Sequence, residues 1–183
     1  MIPFVLETER LTFRELRADD LDFVAAMLSD PEVMRYYPKV CSREEARGWI
    51  ERQQERYSRD GHGLWLVADR GTGSPIGQVG LLLQRIDGVD EPEIGYLIHR
   101  PFWRRGYATE AASAVRDAAF GIGVDHCISL IRPENAPSRG VAHKLGMTPD
   151  REALFHGLPH LVYAVRSGGR ALDMVARFGG GCA

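Results

Sequence analysis

Residues 93–111 read Glu93-Ile94-Gly95-Tyr96-Leu97-Ile98-His99-Arg100-Pro101-Phe102-Trp103-Arg104-Arg105-Gly106-Tyr107-Ala108-Thr109-Glu110-Ala111. An apolar stretch gives way to a basic turn and then to an alanine-rich run, the order of a strand, a tight loop and a helix start. The first turn of a helix has backbone N–H groups without intrahelical partners and the positive end of the helix dipole. A phosphate placed there meets donors already aimed at it. Gly106 permits close backbone approach, and Ala108 keeps the next turn small. The amides of Arg104, Arg105, Gly106, Tyr107, Ala108 and Thr109 are therefore assigned to a pyrophosphate, with the Thr109 hydroxyl and both guanidiniums as further donors. The competing reading is a solvated arginine-rich turn, because Gly-x-Ala alone carries little information.

A second segment downstream reads Arg132-Pro133-Glu134-Asn135-Ala136-Pro137-Ser138-Arg139-Gly140-Val141-Ala142-His143-Lys144-Leu145-Gly146-Met147. Asn135 has the side chain of a helix N-cap, and Ser138 falls in the first turn, where its hydroxyl can satisfy local backbone. Together the two segments resemble the GNAT superfamily of acyl-coenzyme A N-acyltransferases. Trp103-x-x-Gly106-x-Ala108 is similar to that superfamily's Gln/Arg-x-x-Gly-x-Gly/Ala loop. The longer run from Phe102 to Ala111 looks like the branch that includes the ribosomal-protein alanine/serine N-terminal acetyltransferases. Trp103 departs from the more usual Gln or Arg, a change that leaves main-chain amides untouched.

The resemblance implies acetyl-CoA as acyl donor, its pyrophosphate on the loop and its pantetheine arm along the strand at Tyr96, Leu97 and Ile98. It implies that Asn135 touches the pantetheine or orders its helix, two roles that do not exclude each other. Glu93 lies where the branch carries a general base acting through water; its plainer reading is an edge-strand carboxylate. Ser138 lies where the branch carries a serine thought to protonate the departing thiolate. Many members place a tyrosine four residues before the glycine; here that position is Ala142, so the proton falls to Ser138 or to water. The loop Asp30-Pro31-Glu32-Val33-Met34-Arg35-Tyr36-Tyr37 is read as the acceptor wall, or equally as a small hydrophobic cluster. The implied activity is acetyl transfer to a primary amine, a protein N-terminus or a small molecule, by direct attack in a ternary complex. A non-catalytic acyl-CoA-binding sensor is the alternative, and a nucleotide-phosphate enzyme a weaker third.

Other polar residues point to no further chemistry. His156 and His160 are four apart, but Gly157 and Pro159 prevent the helix that would aim both rings at one metal, and His62, His99, His126 and His143 are scattered. No metal is expected. Cys41, Cys127 and Cys182 form neither a disulfide framework nor a Cys-x-x-Cys site, which suits a reducing cytoplasm. A net charge of −2 argues against a generally cationic nucleic-acid binder, and neither a leader nor a membrane-spanning run is evident, so no nucleic acid and no membrane are expected as partners. Monomer and homodimer both remain open.

The elements that must position these groups follow from periodicity. Residues 6–16 alternate as a strand, 19–29 repeat as a helix, and Ser42-Arg43-Glu44-Glu45 has the form of a capping box opening a helix to about Arg59. Strands at 64–68 and 76–83, a hairpin at 87–90 and a strand at 93–99 predict an antiparallel meander. Ala108, Ala111, Ala112, Val115, Ala118, Ala119 and Ile122 make one helical face that Gly121 and Gly123 end, and 127–131 is a short strand, parallel to its predecessor by the crossover rule. A helix from Asn135 and a hairpin of 147–155 with 161–166 complete the order. The expected class is α+β, a GNAT-like fold with a central, mixed, mostly antiparallel sheet of about seven strands flanked by helices. Its domain spans residues 1–166, and 167–183 is an extension whose Ala171, Leu172 and Val175 would line a short amphipathic helix or a tail.

Overall fold

A computed structural model describes residues 6–168. The expected extension, with Ala171, Leu172 and Val175, and Cys182, lie outside the described residues apart from Ser167 and Gly168. Seven strands and four helices follow the expected order: β1 (Leu11–Arg14), α1 (Leu21–Ser29), α2 (Arg43–Asp60), β2 (Leu64–Asp69), β3 (Pro75–Ile86), β4 (Val89–Ile98), α3 (Tyr107–Gly121), β5 (His126–Ile131), α4 (Ala136–Lys144), β6 (Thr148–Phe155) and β7 (Leu158–Arg166). They form one sheet in the order β1-β2-β3-β4-β5-β7-β6. Every neighbouring pair is antiparallel except β4 with β5.

Several boundaries differ from the periodic reading, each for a local reason. β1 is limited to Leu11–Arg14, with only a single bridge from Glu7 to Thr12 before it. β4 starts at Val89 rather than Glu93 because Asp87 and Gly88, both at positive φ, turn the chain in two residues and let Val89 pair with Ile86. His156 and Gly157 do the same between β6 and β7, so β7 begins at Leu158. The capping box at Ser42 and Glu45 forms as expected, and Gly61 at φ 77° closes α2.

The sheet separates two cores. On one face α3, through Ala111, Ala112, Val115 and Ala119, packs on Val79, Leu81, Ile94 and Ile98, with Ala142 of α4 alongside. On the other, Val24, Met27 and Leu28 of α1 and Ala46 and Ile50 of α2 pack on Leu66, with Leu97 against them. Successive residues of β4 therefore divide: Ile94, Tyr96 and Ile98 face α3, while Glu93 and Leu97 face α1 and α2. Gly80 lets β2 enter the sheet, since a Cβ there would lie 1.9 Å from the Gly63 carbonyl oxygen and 2.8 Å from the Leu64 Cα. Gly80→Ala should lose about 2–3 kcal/mol, because the obstructing atoms are backbone. Gly88→Ala, which meets no atom within 4 Å but sits at φ +84°, should lose about 1 kcal/mol; urea midpoints of the two variants check the difference.

Candidate active site

The parallel pair is where the sheet opens. β4 and β5 share one register position, Glu93 with Ile128, whereas β4 pairs with β3 along its whole length. His99 donates to the Ile76 carbonyl on β3 at 2.9 Å, so by strand alternation the polar backbone groups of Ile94, Tyr96 and Ile98 point towards β5. Side chains take over there. The Ser129 hydroxyl donates to the Ile94 carbonyl at 2.8 Å, and the Trp103 indole donates to the Ile98 carbonyl at 2.6 Å. Between them, no β5 pairing or side-chain bond among the described residues claims the N–H and C=O of Tyr96. The Tyr96 phenol crosses the opening and donates to the Ser138 carbonyl at 2.8 Å, tying β4 to α4. Of the three residues expected to line a pantetheine arm, Leu97 pairs with Gln78 and packs on the opposite core. Tyr96 presents both a backbone edge and a side chain to the gap.

The basic loop sits at the end of that gap. Arg104 and Gly106 adopt positive φ, 60° and 82°, and Gly106 caps α3. A left-handed residue followed by a helical one turns successive N–H groups to one side, the backbone concavity that receives anions. Glu110 N–H makes the first helical bond, to Gly106, which leaves the preceding amides free. Arg104 and Arg105 are exposed, and Arg105 also lies 5.8 Å from the Phe102 ring.

Sequence reasoning missed what holds this loop. Glu110, in the first turn of α3, accepts from the Thr8 hydroxyl at 2.6 Å and from the Arg10 Nε at 2.7 Å. Arg10 also donates to the Arg105 carbonyl at 3.1 Å and stacks 4.6 Å over the Tyr107 ring. The carboxylate that would repel an anion is thereby matched by a cation that fastens the loop. The one clue in the chain is an acidic residue in the first turn of the helix read as an anion site; nothing marks Arg10, a hundred residues away.

Glu93 is 9% exposed and stands where β4 and β5 cease to pair. Burial raises its carboxyl above the usual range, against the opposing pull of Gln84, the Leu130 N–H and Arg56. Tyr37 exposes 40% of its surface, which puts it on a cavity wall rather than in the core, yet the protein crowded around its phenol, then Glu93 and Cys41, hold it above its ordinary value. The cavity, about 260 Å³, is lined by Arg35, Tyr36, Tyr37, Arg132 and Glu134. In the loop read as acceptor wall or hydrophobic cluster, Val33 and Met34 join the α1–α2 core, while Arg35, Tyr36 and Tyr37 line the cavity. A wider trough of about 630 Å³ runs along exposed residues of α2 and contains none of these groups.

Asn135 caps α4, its Oδ1 accepting from the Ser138 N–H at 3.1 Å. The Ser138 side chain makes no hydrogen bond among the described residues. Since Tyr96 faces α3 and bonds Ser138, and Glu93 faces the other way, the expected base and the serine lie on opposite sides of the opening. Among the described residues no cluster of His, Cys, Asp and Glu could hold a metal ion, and no helix is long and apolar enough to cross a membrane.

The chain can also be set beside known proteins. The family described as "Acetyltransferase (GNAT) domain" matches residues 10–148, and the chain belongs to it: it is a GNAT-type acyltransferase. YkkB of Bacillus subtilis, an uncharacterized protein, is 33% identical over 164 residues, covering 88% of this chain and 95% of that one. A crystal structure of an acetyltransferase from Agrobacterium tumefaciens is 29% identical with a TM-score of 0.78, covering 91% and 96% of the two chains. The ribosomal L7/L12 α-N-protein acetyltransferase RimL, solved with coenzyme A, superposes with a TM-score of 0.71 over 89% of this chain and 98% of its own; at 15% identity the likeness is one of fold.

Glu110 carries the stability test. Burial alone would raise its carboxyl, but the hydrogen bonds from Thr8 and Arg10 outweigh burial and hold it below its ordinary value. A depressed carboxylate stabilises the fold above its unfolded pKa of about 4.3, and that stability is lost as pH falls through the folded value. The melting temperature of Glu110→Gln should therefore lie below that of the unsubstituted protein at pH 6, with the gap closing as pH falls below about 4.

Proposed function

We propose that the protein transfers the acetyl group of acetyl-CoA to a primary amine by direct attack within a ternary complex. The observation that carries this reading is the position of Glu93: a buried carboxylate at the residue where β4 and β5 stop pairing, with the amides of residues 106–109 at the far end of the same opening. The catalytic unit on this reading is residues 1–166, with 167–183 appended.

The α3 amides, with Arg104 and Arg105, take the pyrophosphate of the donor, and Asn135 holds the start of α4 in place beside it. A pantetheine amide donates to the Tyr96 C=O, and the Tyr96 N–H, fixed in the strand, is positioned to stabilise charge on the thioester oxygen. The neutral amine enters from the side of Tyr37 and attacks the thioester carbonyl. Glu93 accepts the amine proton through water, and the Ser138 hydroxyl, committed to no other partner, donates to the departing thiolate. The RimL structure with coenzyme A supports the choice of donor.

Energetics favour a weakly basic amine. An α-amine with a pKa of about 7.7–8.0 needs only ~1 kcal/mol to be neutral at pH 7, a lysine amine near 10.4 needs about 4 kcal/mol, and one water-relayed carboxylate suits the former. Release of free thiol with a panel of amines tests transfer; a non-catalytic sensor would bind acetyl-CoA and release none.

Glu93 should reveal itself in two measurements. Because the base acts deprotonated and burial raises it, kcat/KM should climb with pH along a limb above the ordinary range of a glutamate, and Glu93→Gln should lower kcat by about 10²-fold or more and remove that limb. For stability the sign is opposite to that of Glu110. A raised carboxyl stabilises below its unfolded value and loses that contribution as pH rises through its folded one, so Glu93→Gln should melt higher than the unsubstituted protein at neutral pH.

A further inference from the structure

Two arginines line the cavity at the end of β5, two residues past Leu130, whose N–H lies 3.5 Å from the Glu93 carboxylate, and neither belongs to the donor loop. Arg132 comes from the end of β5 and Arg35 from the loop after α1; Tyr36 and Tyr37 stand with them, and Glu134 is the one acid in the lining. Arg132 exposes a fifth of its side chain and engages Glu134 weakly, its Nη2 lying 3.3 Å from the carboxylate. Its Nε is shut off from solvent and has no acceptor, one of two such side-chain atoms found among the described residues. Arg35 has only a 3.8 Å contact with Glu32, and both side chains are largely exposed. Buried donors are ordinarily satisfied, so a guanidinium with an unmatched Nε and an Nη2 held only at 3.3 Å by an exposed carboxylate lacks the full set of acceptors among the described residues, and a ligand carboxylate that displaced Glu134 would supply them.

We propose that this cavity recognises a carboxylate carried by the acceptor amine, so that the preferred substrates are amines bearing an acidic group a few bonds from the reactive nitrogen. The inference rests on the acetyl-transfer reading above and adds the substrate class. A guanidinium edge matches a carboxylate in a planar, two-point fashion. With Arg35 and Arg132 against Glu134 the lining has one net positive charge, which suits a single carboxylate better than a doubly charged phosphate. At about 260 Å³ the space falls below the roughly 300–1,000 Å³ of drug-sized pockets and fits a side group rather than a polymer. The two tyrosine rings give an amphipathic wall along which a short aliphatic or aromatic linker can lie.

Matched pairs of acceptors test the proposal: free amino acids against their amides, which probes an α-carboxylate, and short peptides with Asp or Glu against Asn or Gln at the second position, which probes a side-chain carboxylate. In at least one arm kcat/KM should be about tenfold higher for the acidic member, the scale of one charge-assisted hydrogen-bond pair. That ratio should fall towards one in Arg132→Gln and in Arg35→Gln, and should rise in Glu134→Gln, which removes the internal competitor. Arg35 and Glu134 are surface side chains, so these variants remain informative even if Arg132→Gln folds poorly. A ratio near one in both arms, or one that persists in both arginine variants, overturns the proposal while leaving the activity standing. If no amine is acetylated, calorimetric titration of the same pairs decides: acid-dependent binding that Arg132→Gln abolishes upholds the carboxylate site and sinks the transfer reading, and no binding sinks both.

Discussion

The break between β4 and β5 is the constraint on which the rest of the molecule depends. Backbone groups in a sheet interior are costly to leave unpaired, and a strand with its partner on only one side would ordinarily be an edge. Here β4 lies in the middle of a seven-stranded sheet and yet gives up its ladder beyond Glu93. Side chains replace it: Ser129 at the Ile94 carbonyl, Trp103 at the Ile98 carbonyl and Tyr96 across the opening to Ser138. Trp103, the departure from the usual loop motif, thus has a structural task. Its indole finishes the strand at the opening.

Charge is arranged around that opening in two separate groups. At the loop, Arg10 fastens Glu110 and the Arg105 carbonyl, so that the first turn of α3 offers amides and arginines rather than an uncompensated carboxylate. At the other end, Glu93 is kept in a buried setting that favours its protonated form and makes it a stronger base when it is ionised. Both carboxylates are displaced from their ordinary behaviour, in opposite directions and for opposite reasons. One has strong donors, and the other has burial and few donors. The opening is thus cationic at the loop and carries a buried carboxylate at the point where β4 and β5 part.

Most of the fold was legible because it is locally encoded. The capping box at Ser42, the alanine face of α3 and the asparagine cap of α4 are each written within a turn or two of chain and form as the spacing predicts, except that Ile122, expected on the α3 face, is its exposed C-cap. The hairpin ends were less legible. Two-residue turns at Asp87-Gly88 and His156-Gly157 put a non-glycine residue at positive φ, and only pairing across the whole hairpin makes that conformation worthwhile.

The chain's own residue order decides which elements form, where the amide cradle lies and which carboxylate stands upstream of it, since those are properties of neighbours along the backbone. It does not decide which side of the sheet each group faces relative to distant elements. That Glu93 meets the Leu130 N–H, that Arg10 reaches Glu110 and that Arg132 joins Arg35 over one cavity are results of packing between segments far apart in sequence. Such contacts have no local signature, because the energy that selects them comes from burying two helical layers against a twisted sheet and not from any short stretch of residues.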